Sequence, residues 1–195
     1  MTARTGASLR VVTNPQPPIV PSALLGMLLF LFTELMLFSG LVSAHGIARG
    51  SALLWPPPGQ PRLPVEETAL NTAALLASGV LLYFSQRAYR RDRKSAQPWL
   101  TATIALGTFF VVFQGVEWVA LVGEGLTITS STHGGFFYLI IGVHGLHAVG
   151  ALLVLGMNWL RLRRGVLSQS TFAAGQAFWY FVVGVWPVLY WRVYG

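Results

Sequence analysis

The chain has 195 residues, of which 54% are hydrophobic and only 10% are charged, and its mean hydropathy is +0.60. A soluble globular domain carries about 25% charged residues, so this composition indicates a membrane protein and argues against a soluble fold. The absence of cysteine excludes thiolate metal ligands and disulfide bonds.

Five stretches of the sequence are long and apolar enough to cross a bilayer, since a hydrocarbon core about 30 Å thick requires roughly 20 apolar residues per helix. The first is too long for a cleavable signal peptide, and it contains Glu34. We therefore predict an all-α, polytopic membrane fold in which residues 23–195 form a five-helix bundle behind a proline-rich N-terminal arm at 1–22. The predicted helices cover about 23–45, 68–86, 99–122, 134–160 and 172–194.

Basic residues alternate between the segments that connect the predicted spans. Because segments rich in Lys and Arg stay in the cytoplasm, the pattern predicts the N-terminus inside and the C-terminus outside. The net charge of +7 is then explained by contacts with lipid headgroups, and we expect no nucleic-acid partner. Ten of the thirteen basic residues lie before the first span, between the second and third spans, or between the fourth and fifth. They are Arg4, Arg10, Arg87, Arg90, Arg91, Arg93, Lys94, Arg161, Arg163 and Arg164.

The segment 46–66 between the first two spans contains five prolines, and proline removes a backbone donor and interrupts helices. We expect this loop to lie outside and to lack regular structure over its proline run.

Several polar side chains fall inside the predicted spans, where an ionisable group is costly and is by default a functional candidate. Glu34 shares one helix face with Phe38, Leu41 and His45, because offsets of 4, 7 and 11 return to nearly the same direction. Its carboxyl group is predicted either to be protonated and hydrogen-bonded to a neighbouring helix, or to handle protons while facing a partner or a lipid-lined cleft. The structural candidates are Glu117, Gln114, Asn71, His45, His144 and His147.

His144 and His147 stand three residues apart on one face of the fourth span. Di-iron bundles combine histidines with a Glu-x-x-His motif, which this chain lacks. A bis-histidine haem would need a second ligand at the same depth, whereas His45 lies at the end of its span. The sequence therefore favours imidazoles that form hydrogen bonds between helices, and we expect no metal or haem on this chain.

Five motifs, in order from about residue 24 to the end, resemble subunit III of the haem-copper cytochrome c oxidases. The most specific is "WPP" (55–57) followed by "LNTAALLASGV" (70–80). The others are "FTELMLFSGLVSAH" (32–45), "FQGVEW" (113–118), "GVHGLHAVG" (142–150) and "GQAFWYFVVGVWPVLYWRVYG" (175–195).

This resemblance implies the shortened five-helix bacterial form of the subunit, in a multi-pass arrangement in the plasma membrane. It implies a chain without redox centres that packs on subunit I, which holds the haems and copper, in a complex with the copper-bearing subunit II and possibly subunit IV. Such a subunit would support proton uptake and catalytic lifetime and would bind structural phospholipids. Glu34 matches the family's buried, carbodiimide-reactive glutamate, and the two histidines match a helix-packing motif.

The long form of the family has two further helices, which enclose a lipid-filled cleft with the other five. Because this chain lacks those two helices, we expect the face of Glu34, Phe38 and Leu41 to point at internal lipid or at subunit I. Tyr180 and Val183 stand where the family has His and Asp. Two rival functions remain open at this point: an accessory subunit of a nitric oxide reductase, and a small proton-coupled transporter that uses Glu34 and Glu117.

Overall fold

A computed structural model describes residues 20–61 and 63–195 of the chain. Each of its five helices is long and apolar enough to span a bilayer, which confirms the predicted all-α, five-span architecture. Most of the N-terminal arm, residues 1–19, lies outside the described residues. The helices are α1 (Ser22–Ser51), α2 (Val65–Arg91), α3 (Ala96–Gly123), α4 (Thr132–Arg163) and α5 (Gln169–Tyr194).

The helices extend beyond the predicted spans at most ends. α1 continues to Ser51 and α2 begins at Val65, so the connecting loop covers 52–64 and the predicted start at residue 46 is wrong. Apolar composition marks only the hydrocarbon-facing part of a helix, while the backbone hydrogen bonds continue into the interface. The described residues of the proline run are not helical, as predicted.

Polar side chains cap the helices at the short loops. Ser131 accepts a hydrogen bond from the backbone N–H of Gly134 at 3.0 Å before α4, and Ser168 accepts one from Thr171 at 3.1 Å before α5. Between α2 and α3, Asp92 accepts from the Ser95 hydroxyl at 2.9 Å. This hydrogen bond, with those from the backbone, lowers the pKa of Asp92 below its ordinary value.

α5 lies at the centre of the bundle and packs against α1, α2 and α4, while α3 packs against α2 and α4. Two tryptophans of α5 are fully buried and donate hydrogen bonds to α2, Trp179 to Ser78 at 3.1 Å and Trp186 to Thr72 at 2.8 Å. Gly107 on α3 provides room for Trp179, because a Cβ atom there would lie 2.5 Å from the indole ring. These contacts form the core of the fold.

α1 is the peripheral helix. It contacts only α4 and α5, and Phe38 and His45 are its only buried residues. Its opposite face exposes large apolar side chains, including Leu29, Phe32 and Met36. α1 therefore presents most of its surface to lipid or to another protein.

Candidate functional site

Glu34 meets His147 at the contact between α1 and α4. The Oε2 atom of Glu34 lies 2.9 Å from Nε2 of His147, and the two side chains are 15% and 12% exposed, respectively. Among the described residues they are the only acid–base pair within ion-pair distance. The sequence indicated a neighbouring helix as the partner of Glu34 but did not identify this histidine.

The helix backbone fixes the tautomer of His147. Its Nδ1 atom lies 2.7 Å from the carbonyl oxygen of Val143, and because a carbonyl only accepts, Nδ1 carries the hydrogen. Nε2 then either accepts a proton from the Glu34 carboxyl group or, when protonated, donates to the carboxylate. In both forms the pair shares one proton and has no net charge.

Aromatic rings surround this pair, which we call the Glu34–His147 pair. The imidazole of His147 lies 5.4 Å from the ring of Phe38, 6.4 Å from Phe30 and 6.3 Å from Phe178. In such an apolar environment a net charge is costly, whereas transfer of the shared proton between the two side chains leaves the net charge unchanged. The contact therefore places the two titratable side chains side by side in an apolar part of the bundle.

The face of α1 that carries Glu34 packs on the chain's own helices. Phe38 is 3% exposed and contacts the rings of His144 and His147 on α4 and of Phe181 on α5. The expectation that this face points at internal lipid or at subunit I is therefore wrong. The side of α1 that carries Glu34, Phe38 and His45 packs within the bundle, and the uncovered side is largely apolar.

His144 is only 1% exposed, and neither ring nitrogen has a hydrogen-bond partner among the described residues. Its ring lies 4.9 Å from Trp186 and 6.2 Å from both Phe38 and Phe110. The imidazole thus faces neighbouring helices, as expected, but the predicted hydrogen bond is wrong for this residue because aromatic rings enclose it. Its contribution in this structure is packing.

A second polar cluster links α2, α3 and α5. Gln114 donates from its amide nitrogen to Glu117 at 2.8 Å and to the Tyr194 hydroxyl at 3.2 Å. The Thr68 hydroxyl lies 3.2 Å from both carboxyl oxygens of Glu117. Asn71 donates to the carbonyl of Phe110 at 3.2 Å and adds another link between α2 and α3. The sequence did not identify Thr68 and Tyr194 as neighbours of Glu117 and Gln114, since only the fold brings them together.

His45 is buried in the last turns of α1 and contacts Trp55 in the loop that follows. Its ring lies 5.4 Å from Trp55 and 5.7 Å from Phe136. Trp55 in turn lies 5.1 Å from His133 at the beginning of α4. Within residues 20–61 and 63–195, no group of three or more metal-binding side chains converges.

Tyr180 and Val183, the two departures from the family pattern, have different surroundings in α5. Tyr180 is partly exposed and lines a groove beside α1. Val183 is buried against α2, where a Cβ atom at Gly79 would lie 3.2 Å from its methyl group. An apolar contact thus occupies the position at which the resemblance would place an aspartate.

Comparison with known proteins decides the family. The family model for cytochrome c oxidase subunit III matches residues 16–195. The chain belongs to the cytochrome c oxidase subunit III family. A probable cytochrome c oxidase subunit 3 from Mycobacterium leprae is 33% identical over 201 aligned positions, which cover 99% of this chain and 96% of the relative.

Other relatives with the subunit III name come from distant organisms. The cytochrome c oxidase subunit 3 of Synechocystis is 33% identical over 87% of this chain and 73% of its own length, and that of Xenopus laevis is 35% identical over 91% and 71%. The matches favour a subunit III of a haem-copper oxidase over the nitric oxide reductase subunit and the transporter.

Proposed function

We propose that this subunit III is an accessory, non-redox component of a proton-pumping terminal oxidase that oxidises cytochrome c and reduces oxygen to water. It packs on subunit I, near subunit II and a possible subunit IV, in a bacterial plasma membrane. Haem and copper belong to subunit I, and copper to subunit II. The observation that carries this proposal is the family match over residues 16–195.

The Glu34–His147 pair is the proposed proton-handling site of the subunit. Its support is geometric: Oε2 of Glu34 lies 2.9 Å from Nε2 of His147, between surrounding aromatic rings. In this role the pair holds a proton between α1 and α4, inside the membrane, during proton uptake. The alternative for Glu34 is a structural hydrogen bond that links α1 to α4, and the two roles differ in their response to Glu34→Gln.

The proposed orientation has the N-terminus and the 92–95 loop in the cytoplasm and the loop 52–64 outside. Its support is the charge distribution, with five basic residues between Arg87 and Lys94. Exposed apolar side chains on α1 provide a surface for subunit I and for structural phospholipids.

Purification from native membranes through an affinity tag on this chain tests the proposal. We expect haem, copper and cytochrome c oxidase activity to co-purify with the tagged chain. An untagged strain gives the background for each signal. Co-purification of a nitric oxide reductase, or recovery of the chain alone with transport activity after reconstitution, would contradict the proposal.

A further inference from the structure

A pocket with a volume of about 350 Å³ lies between α3 and α4. We call it the α3–α4 pocket. Gly115 on α3 and Gly142 and Gly145 on α4 line it, and they leave room between the two helices because they carry no side chain. Leu146 also lines the pocket and is exposed, so the pocket opens on the surface of the bundle. Its volume lies at the lower end of the range of about 300–1,000 Å³ for small-molecule sites.

Four buried polar atoms on residues that line the α3–α4 pocket have no hydrogen-bond partner among the described residues. They are Oε1 of Gln114, Nε1 of Trp118 and both ring nitrogens of His144. An amide oxygen only accepts, an indole nitrogen only donates, and a neutral imidazole has one nitrogen of each kind. Because an unpaired buried polar group is costly, these atoms favour a ligand that offers hydrogen-bond acceptors as well as donors.

Two of these residues lie too deep in the membrane to pair with a phospholipid headgroup. Measured along the helix axis at 1.5 Å per residue, His144 is about 5 Å from the middle of α4 and Gln114 is about 7 Å from the middle of α3. Headgroups begin about 15 Å from the middle of the bilayer, because the hydrocarbon core is about 30 Å thick. The matching ligand is therefore an uncharged, lipid-soluble molecule whose polar atoms lie within the hydrocarbon core.

Aromatic side chains determine which shape of ligand fits. Phe110, Trp118 and Trp186 line the α3–α4 pocket together with the imidazole of His144. The ring of Trp186 lies 4.9 Å from that of Phe110 and 4.9 Å from that of His144. Aromatic surfaces of this kind pack well against a flat, conjugated ring.

We propose that the α3–α4 pocket binds the ring of an isoprenoid quinone. Such a molecule combines a flat ring, two opposite oxygen atoms and an apolar tail that keeps it inside the bilayer. In the oxidised form its oxygens accept hydrogen bonds from Trp118 and His144, and in the quinol form a hydroxyl also donates to Gln114. The inference goes beyond the accessory role proposed above and concerns binding alone, with no electron transfer. Neither Glu34 nor His147 lines the pocket.

Photolabelling of the purified complex tests this site on the full chain. The tagged chain is isolated with its partner subunits in mild detergent and receives, below saturation, a ubiquinone analogue with a diazirine in a short tail. The comparison probe is a methylated benzene with the same tail and no oxygen atoms. Adducts are located by mass spectrometry. We expect them on residues of the α3–α4 pocket, about thirtyfold more with the quinone, which corresponds to about 1 kcal/mol for each of two hydrogen bonds.

Variants separate the hydrogen bonds from the space in the pocket. Trp118→Phe and His144→Phe each keep an aromatic ring and remove hydrogen-bonding atoms, so each should lower quinone labelling about fivefold and leave labelling by the benzene probe unchanged. Gly115→Leu fills the pocket and should lower labelling by both probes. Matched controls are Trp191→Phe and Gly156→Leu, since neither residue lines the pocket and a Cβ atom at Gly156, as at Gly115, would meet no atom within 4 Å. Both controls should label as the unmodified chain does.

Three results would overturn the proposal. Equal labelling of the pocket by the two probes in the unmodified chain would show that the quinone oxygens have no partner there and would leave the polar atoms to water. Unchanged quinone labelling in both Trp118→Phe and His144→Phe would place the ring elsewhere on the chain. Adducts confined to another subunit would assign the quinone to that partner. Because the adducts are located on this chain, none of these results depends on whether haem and copper co-purify with it.

Discussion

Glu34 and His147 are 113 positions apart in the chain, and their side chains meet at 2.9 Å where α1 crosses α4. The contact lies on the only face of α1 that packs against other helices of the bundle. Two roles of this contact are therefore separable by mutation: a hydrogen bond that holds a peripheral helix, and the proposed handling of a proton.

The hydrogen bond between Glu34 and His147 predicts that two substitutions of Glu34 differ in their effect on stability. Glu34→Ala leaves Nε2 of His147 without a partner and should destabilise the bundle by about 1–3 kcal/mol. Glu34→Gln places an amide donor at the same position and should be nearly neutral. Thermal unfolding of the purified chain in detergent measures both, with Met36→Ala on the exposed face of α1 as the control. Equal destabilisation by Gln and Ala would contradict the hydrogen-bonded geometry.

Polar and aromatic replacements of His144 should have different effects on the stability of the bundle. His144→Phe keeps a flat ring among Phe38, Phe110 and Trp186 and should leave stability unchanged or raise it. His144→Gln buries an amide in the same cage and should cost about 1–3 kcal/mol. Unfolding midpoints of the two variants provide the measurement. A greater loss with Phe than with Gln would show that the imidazole nitrogens have partners.

The residues that contact Glu117 should make coupled contributions to the free energy of unfolding. Thr68→Val and Gln114→Leu each remove a group that contacts the same carboxyl, at 3.2 Å and 2.8 Å. Each should destabilise by about 1–3 kcal/mol, and the double variant should lose less than the sum, since residues of one network are coupled. A double-mutant cycle in chemical unfolding measures this coupling energy. Strict additivity would show that Glu117 does not connect the two residues.

The proposed orientation is testable because the chain contains no cysteine. A single cysteine at Leu53, which is fully exposed in the loop 52–64, should react with a membrane-impermeant maleimide in intact cells. A cysteine at Lys94, in the 92–95 loop, should react only after the membrane is opened. Labelling of position 94 in intact cells would reverse the orientation and remove the charge-based argument for it.

The five spans follow from composition alone, because length and hydropathy decide whether a helix crosses a bilayer. Composition did not predict where α1 ends, because the helix continues past the apolar run to Ser51. Periodicity grouped Glu34, Phe38 and His45 on one face correctly, but it does not indicate which helices cover that face. For that reason His147 as the partner of Glu34, and the aromatic cage of His144, required the packed structure. Thr68 was missed because a hydroxyl inside a helix is common, and the sequence does not show that this one contacts Glu117.

The most direct test of the proton-handling role is the catalytic lifetime of the purified oxidase that carries Glu34→Gln. Gln keeps the hydrogen-bonding shape and removes the exchangeable carboxyl proton, so the complex should assemble with its normal haem and copper content. We expect it to inactivate after fewer turnovers, or to take up protons more slowly, than the unmodified enzyme, while Glu117→Gln leaves both quantities unchanged. Normal lifetime and proton uptake in the Glu34→Gln oxidase at every pH tested would contradict this role and leave the pair with a structural function only.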